Sequence, residues 1–420
     1  MKLLLFSPKE ICADQTNVKS GPWITSLIKE LRNRKDIELH IVFKSNCSSI
    51  KKREMGNSFL YLVPNKEYVN KRYPRILKYF KYFFKAGLNK NIIKEYLEIV
   101  RVVKPDLIQL FGSEHDHGLI LPYVDIPTVI YIQCVFQIYY HKWYLGITRE
   151  DVRRYSPLKE KIFRRTFNQR HQDEYKRAER ERLYYKNCNY FIGKTDWDRR
   201  AIEILAPHTR YYHCEDMIRN EFFNHKWRGS PDGKSINLIS ILDDQIYKGL
   251  ETIIEAVEIL ENNSKYKINW YIAGLSDNSR IAKICKKKYK DKFSSNIIFI
   301  GKINAVEIAQ KMLNTDIYVH PSHIENSCNS ICEAMLVGMP IVATATGGTF
   351  NLITDKKEGI LIQDGDPWSM AGAIKELYVN YGFARKIGIN ARIRARRRHN
   401  PKKIMRELLE IYKDIMINQQ

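Results

Sequence analysis

Eight cysteines are scattered along the 420 residues with no CxxC pair and no Cys/His zinc spacing. That excludes a disulfide scaffold and makes reduced thiols in a cytoplasmic protein the simplest reading. The longest apolar region, "LILPYVDIPTVIYIQCVF", is broken by Pro122, Asp125 and Pro127, so it reads as two elements of a soluble core and not as a membrane span. The opening "MKLLLFSPKE" has too short an apolar run for a signal peptide and reads as a buried first strand. Internal repeats and low-complexity tracts are absent. Acidic residues are few beside basic ones, 47 against 70, giving a net charge of +23. Such a surplus speaks to partners and solubility, not to fold. It points to an anionic phospholipid surface, a phosphorylated substrate or nucleic acid, or else to a bias spread over solvated helix faces. Since no nucleic-acid reading motif accompanies it, nucleic acid is not expected as a partner.

What is present is alternation. Apolar runs of four to eight residues ("KLLLF", "IELHIVF", "DLIQLF", "PTVIYIQ") alternate with helical patterns such as "WITSLIKELRN" and "EYLEIVRVV". This argues for βαβ units and a parallel sheet covered on both faces. A polar stretch, "HKWRGSPDGKS", precedes a second alternation from "INLISIL" to "PIVATA". The fold class expected is α/β: two doubly wound parallel-sheet domains facing each other across a cleft, at 1–218 and 232–400. The length agrees with two domains of roughly 200 residues each. Pro401 opens a final helix in a strongly basic C-terminal region.

The segment "HIENSCNSICEAM" follows the strand "DIYVHPS". In an open α/β sheet, ligands lie beyond the carboxyl ends of strands, which places Glu325 where a ligand would be. The next helix is expected to start at Ser327, Asn329 or Ser330, each a good N-cap type, and to stop at Gly338. Glu333 then falls on its first turns. A helix N-terminus suits phosphate, and a carboxylate on either side can accept hydrogen bonds from hydroxyls, a pattern that describes a nucleotide-sugar. The residues alone leave a second reading open, with Glu333 a helix-dipole carboxylate and Glu325 a solvated loop charge.

The stretch "HPSHIENSCNSICEAMLVGMPIVATATGGTFNLITDKKEGILIQDGDP" resembles the donor-site signature of retaining GT-B glycosyltransferases of family 4 (glycosyl transferases group 1) over about 50 residues, and the whole chain resembles them more loosely in strand order. The resemblance implies that Glu333 holds ribose hydroxyls and that Glu325 lies near the transferred sugar. Backbone around Ser327, Cys328, Asn329 and Ser330 would meet the sugar and diphosphate, and Lys248 of "YKGLETIIEAV" would neutralise the leaving diphosphate. Lys302 and Ile303 of "IFIGKI" would edge the base, and the helix at about 401–420 would pack back on the first domain. It further implies a hexosyltransferase with no metal and no cofactor beyond its nucleotide-sugar substrate. The family's usual arginine is replaced by Asp243, and Arg219 is the candidate substitute cation.

In the N-terminal half, Gly21 of "KSGPWITSLIKEL" resembles the family's first-loop glycine, with an ordinary turn glycine as the alternative. Glu114 and His117 of "LIQLFGSEHDHG" are candidate acceptor-site and catalytic groups. Gln133 stands where the family often has histidine and would position an acceptor hydroxyl. Arg75, Lys78, Lys81 and Lys85 fall on one side of an aromatic-rich helical segment, which suits either an anionic membrane surface or a buried helix with a basic edge. "DGDP" at 364–367 reads as a turn. The function expected is sugar transfer with retention from a nucleotide-sugar to a glycan or lipid-linked oligosaccharide in surface polysaccharide synthesis, in the cytoplasm or on the inner face of the plasma membrane. The alternatives are another GT-B enzyme such as a nucleotide-sugar epimerase, a non-catalytic scaffold and, remotely, a basic nucleic-acid-binding protein.

Overall fold

The structure is a computed structural model that describes residues 1–8, 22–65, 85–229 and 232–418. The first half contains β1 (Lys2–Phe6), α1 (Pro22–Arg32), β2 (Glu38–Ser45), β3 (Lys51–Met55), β4 (Ser58–Pro64), α2 (Lys85–Val103), β5 (Leu107–Phe111) and β6 (Thr128–Tyr131). A helical excursion follows, made of α3 (Phe136–His141), α4 (Arg149–Tyr155), α5 (Leu158–Ile162) and α6 (Phe167–Asn187), before β7 (Tyr190–Gly193), α7 (Asp196–Leu205) and β8 (Arg210–His213). These strands form one sheet in the order β3-β4-β2-β1-β5-β6-β7-β8, parallel except for the β3–β4 pair. Leu3, Leu4, Leu5 and Phe6 of β1 are fully buried, as the continuous apolar run predicted for a strand covered on both faces.

The second half contains β9 (Ser235–Ile241), α8 (Leu250–Asn263), β10 (Lys267–Ala273), α9 (Arg280–Lys288), β11 (Ile297–Gly301), α10 (Ala305–Leu313) and β12 (Ile317–His320). Then come α11 (Asn329–Val337), β13 (Ile341–Thr344), α12 (Thr349–Leu352), β14 (Ile360–Ile362), α13 (Pro367–Val379), α14 (Tyr381–Arg398) and α15 (Pro401–Ile417). The strands form a six-stranded sheet in the order β11-β10-β9-β12-β13-β14, with every pair parallel. No described helix is long and apolar enough to cross a membrane.

Two helical segments, among other contacts, tie the halves together. Helix α15 buries Ile404, Leu408, Ile411, Tyr412 and Ile415 in the core that holds β1 and β2 of the first sheet, and Tyr412 donates to Gln109 on β5 at 2.6 Å. The second connection is not legible in the alternation of runs. Trp143, Ile147, Val152 and Phe167, from the excursion between β6 and β7, are buried in the core of the second half beside Ile253, Val257 and Ile284. Lys288 pairs with Asp151 at 2.7 Å, and Arg170 donates to the carbonyl of Asp244 at 3.0 Å. A division at 218–232 therefore describes the two sheets, while part of the helical excursion packs with the second one.

Candidate active site

The site forms at the carboxyl end of β12. Gly338, with φ +85, ends α11 after Val337, so the helix is short and its N-terminus sits close to the strand. Cys328 is the N-cap and provides no side-chain cap, which leaves first-turn amides without intrahelical partners. Ser327 Oγ and Asn329 Oδ1 are buried and make no hydrogen bond among the described residues. The helix tip thus offers donors, its first-turn N–H groups and the Ser327 hydroxyl, to an anion, and the Asn329 oxygen as an acceptor for a hydroxyl. Ser330, a candidate for the same role, instead accepts from Tyr318 at 2.7 Å behind the tip.

Both glutamates are buried, Glu325 at 7% and Glu333 at 3% exposure, and each carries a cation. Lys248 Nζ lies 2.5 Å from Glu325 Oε1 and 3.9 Å from Asp243 Oδ1. Lys248 is delivered by Gly249, whose φ of +74 is left-handed and which starts α8. A Cβ there would meet the Pro321 carbonyl oxygen at 2.1 Å. Burial alone would raise Glu325's pKa, but Lys248 and His320 hold its carboxyl well below the usual range. Burial raises that of Glu333 and Arg219 opposes the rise. Arg219 donates to Glu333 Oε1 from Nε at 3.0 Å and from Nη2 at 2.6 Å. The expected substitute cation is therefore committed to Glu333 and does not stand free beside Lys248. Both bonds go to Oε1, so Oε2 faces no competition from this pair.

Three further features escaped sequence reasoning. His320, the last residue of β12, has Nε2 3.4 Å from Glu325 and Nδ1 3.8 Å from Cys328 Sγ. Burial lowers its pKa, but Cys328 and Glu325 outweigh that and bring it to about 9. For Cys328, burial pushes the thiol's pKa up while His320 brings it net down. His323 lies 2.5 Å from Glu251 and 3.4 Å from Asp364, the first residue of the "DGDP" turn. Asn326 bridges the two halves: its Oδ1 accepts from Thr195 Oγ1 at 2.7 Å, and its Nδ2 donates to Asp198 at 2.9 Å and to the Gln133 carbonyl at 3.4 Å. The one signal in the sequence was the position of all three residues at or beyond a strand end.

Across the cleft, Gln133 accepts from Trp23 Nε1 at 3.0 Å. Glu114 folds back over Gly112 beside Gln133, with Cys134 Sγ 3.9 Å from its Oε1 and its Oε2 buried without a hydrogen bond. Burial raises its pKa. His117 is placed differently from its expected role. It is 2% exposed and packs against the rings of Phe6 and Tyr96, each with centroid 5.5 Å away, so it fills the first core and does not face the cleft. Lys302 is exposed, and Ile303 packs against the cluster that contains Ile331 and Leu336 of α11. Gly21 and the basic aromatic stretch at 75–84 lie outside the described residues.

Residues 222–394 match the family model described as Glycosyl transferases group 1. An uncharacterised glycosyltransferase of Methanocaldococcus jannaschii is 28% identical over 171 residues, 40% of this chain and 43% of that one. A GDP-mannose-dependent alpha-mannosyltransferase of Mycolicibacterium smegmatis is 29% identical over 99 residues, 23% of this chain and 26% of its own. The matched stretches thus span less than half the length of these relatives. Among solved structures, a sucrose-phosphate synthase from Thermosynechococcus elongatus superposes with a TM-score of 0.74 at 14% identity, covering 99% of both chains. Anabaena HepE, solved with UDP and glucose, superposes with a TM-score of 0.63 at 15% identity, covering 98% of this chain and 99% of that one. The fold of the chain is GT-B.

Proposed function

We propose that this chain is a glycosyltransferase that moves a sugar from a nucleotide-sugar to a hydroxyl of a glycan or lipid-linked oligosaccharide, with retention, in surface polysaccharide synthesis at the cytoplasmic side of a membrane. One observation carries the donor half of this reading. A helix tip with no side-chain cap, whose first-turn N–H groups and unpaired Ser327 hydroxyl can donate, lies between the Lys248–Glu325 pair and the Arg219–Glu333 pair, an arrangement suited to a diphosphate flanked by hydroxyls. The family match over 222–394 covers Lys248, Glu325, the helix tip and Glu333. In this reading the diphosphate lies on the tip, Glu333 Oε2 accepts from the ribose and Glu325 from the sugar. Lys248 moves from Glu325 onto the phosphate as charge builds there. Glu114 and Gln133 orient the acceptor, and the departing phosphate oxygen takes the acceptor's proton.

The test is a thermal-shift series with UDP, GDP and their sugar conjugates. Ligand at about 100 times its Kd stabilises the folded state by about 2.7 kcal/mol, and Glu333→Ala is expected to weaken the nucleotide shift at least tenfold in apparent Kd. A wild-type chain that none of these nucleotides stabilises ends the proposal.

A further inference from the structure

Packing against the second half uses the ends of one stretch of the helical excursion and leaves its middle facing solvent. Val152 on α4 and Phe167 on α6 are fully buried in the second core, and Arg280 of α9 donates to the Arg165 carbonyl at 3.2 Å. Between these anchors the chain turns outward and exposes apolar side chains. Leu158 is 71% exposed, Ile162 57% and Phe163 38%. Leu158 and Ile162 stand four apart on α5, so they share one face, and Phe163 follows directly. Single exposed apolar residues are ordinary, but three within six positions, rimmed by polar ones, mark an interaction surface.

The rim is cationic. Arg153, Arg154, Lys159, Lys161, Arg164 and Arg165 are all exposed, whereas Glu160, the one acid of residues 153–165, is half-buried. Among the described residues only Arg153 of the six forms an ion pair, with Glu150 at 2.7 Å. The turn also keeps a cation in a costly conformation. Arg164 has φ +50, the left-handed position that closes a helix and that glycine usually fills. Its amide donates to the Lys161 carbonyl at 3.2 Å, and the Arg165 amide to the Glu160 carbonyl at 2.9 Å. A second copy of the chain is a poor occupant of this surface, because a two-fold contact would set the same cations against each other. Nucleic acid would answer the cations and leave the apolar side chains in water. An anionic phospholipid surface answers both, its headgroups taking the cations and its acyl boundary taking Leu158, Ile162 and Phe163.

We propose that residues 153–165 are a docking tip that seats this chain on an anionic phospholipid surface. The assignment rests on the membrane half of the reading given above and not on its donor half. It names a different element from the basic aromatic segment at 75–84 that the sequence singled out. Because the excursion is built into the core of the second half, docking through this tip holds the donor sheet at the lipid surface along with the first one.

Flotation of the full chain with vesicles of equal parts phosphatidylglycerol and phosphatidylcholine is the test. Binding is expected at about 0.1 M salt, with loss at about 1 M, and at least tenfold weaker binding to phosphatidylcholine alone. Leu158→Ser combined with Ile162→Ser is expected to weaken partitioning at least tenfold. Arg164→Gly is expected to weaken it about fivefold without loss of thermal stability, since glycine accepts the left-handed turn. Both variants are expected to keep the wild-type thermal shift with nucleotide, which separates the tip from the donor site. Hydrogen exchange of the wild-type chain, with and without the anionic vesicles, needs no variant and is expected to show slowed exchange at 153–165. Vesicle binding with protection at 75–84 and none at 153–165 overturns the tip and leaves the membrane reading standing. Binding that the Leu158→Ser, Ile162→Ser variant retains in full also overturns it. Protection of 153–165 by polyglutamate and not by vesicles overturns the lipid assignment in favour of an acidic protein segment. A chain that binds neither vesicle overturns the tip and the membrane half of the reading together, while its nucleotide response decides the donor half separately.

Discussion

Glu181 carries a charge problem that can be measured. It is fully buried on α6, where Oε1 accepts from Ser113 at 2.5 Å and Oε2 from the Gln137 amide at 3.1 Å. Burial dominates these bonds and raises its pKa from 4.5 to about 7. The folded state therefore holds the proton more tightly than the unfolded chain does. The associated stability is fully present below about pH 4.5 and is lost as the pH rises through about 7, an effect on the order of 3 kcal/mol. Glu181→Gln is expected to flatten this slope, read from guanidinium midpoints between pH 5 and 8. An unchanged slope in the variant would remove Glu181 as its source. Residues of this kind were invisible in the sequence. A glutamate in a charged helix reads as solvated, and only the return of α6 beneath the loop after β5 buries it. The same holds for Asn326, whose partners Thr195 and Asp198 lie 131 and 128 residues away. Glu325 and Glu333, by contrast, were legible, because one strand end and one short helix fix both.

At the scale of elements, the junction between the end of β12 and the start of α8 holds the proposed chemistry together. Gly249 permits the left-handed turn after Lys248, and its missing side chain lets the backbone rest on the Pro321 carbonyl. Gly249→Ala would place a Cβ 2.1 Å from that oxygen in a conformation that costs a non-glycine residue about 1 to 2 kcal/mol before any clash. The expected outcome is a loss of about 2 to 4 kcal/mol in denaturant unfolding, together with weaker nucleotide stabilisation, because Lys248 is pushed off Glu325. Wild-type stability and wild-type nucleotide response would show that the junction yields without cost. The C-terminal end of α11 followed from sequence, since Gly338 and Pro340 punctuate it. The N-cap did not: Ser327, Asn329 and Ser330 are all better cappers by type than Cys328, yet Ser330 is drawn inward by Tyr318.

For the molecule as a whole, the alternation of runs anticipated two sheets but not how firmly they are joined. A helix pattern reveals that one face is buried, not which domain buries it. The excursion after β6 shows the consequence. Trp143 leaves the first sheet's half and sits at 2% exposure in the core of the second, its ring 5.5 Å from that of Tyr247, the neighbour of Lys248. Gly146 lies against the Glu251–His323 pair, where a Cβ would stand 1.9 Å from Glu251 Oε1. Apolar burial of this kind couples the halves more strongly than the partly buried ion pair Lys288–Asp151 does. Trp143→Ala is expected to cost about 3 to 5 kcal/mol and to fall mainly on the coupling, so that calorimetry resolves two transitions in the variant where the wild-type chain unfolds in one. A single, merely weakened transition in Trp143→Ala would mean that α15 and the Asn326 bridge join the halves without help from the excursion. The two-transition result would instead make the excursion the element that keeps Lys248, and with it the cleft, in register with the first sheet.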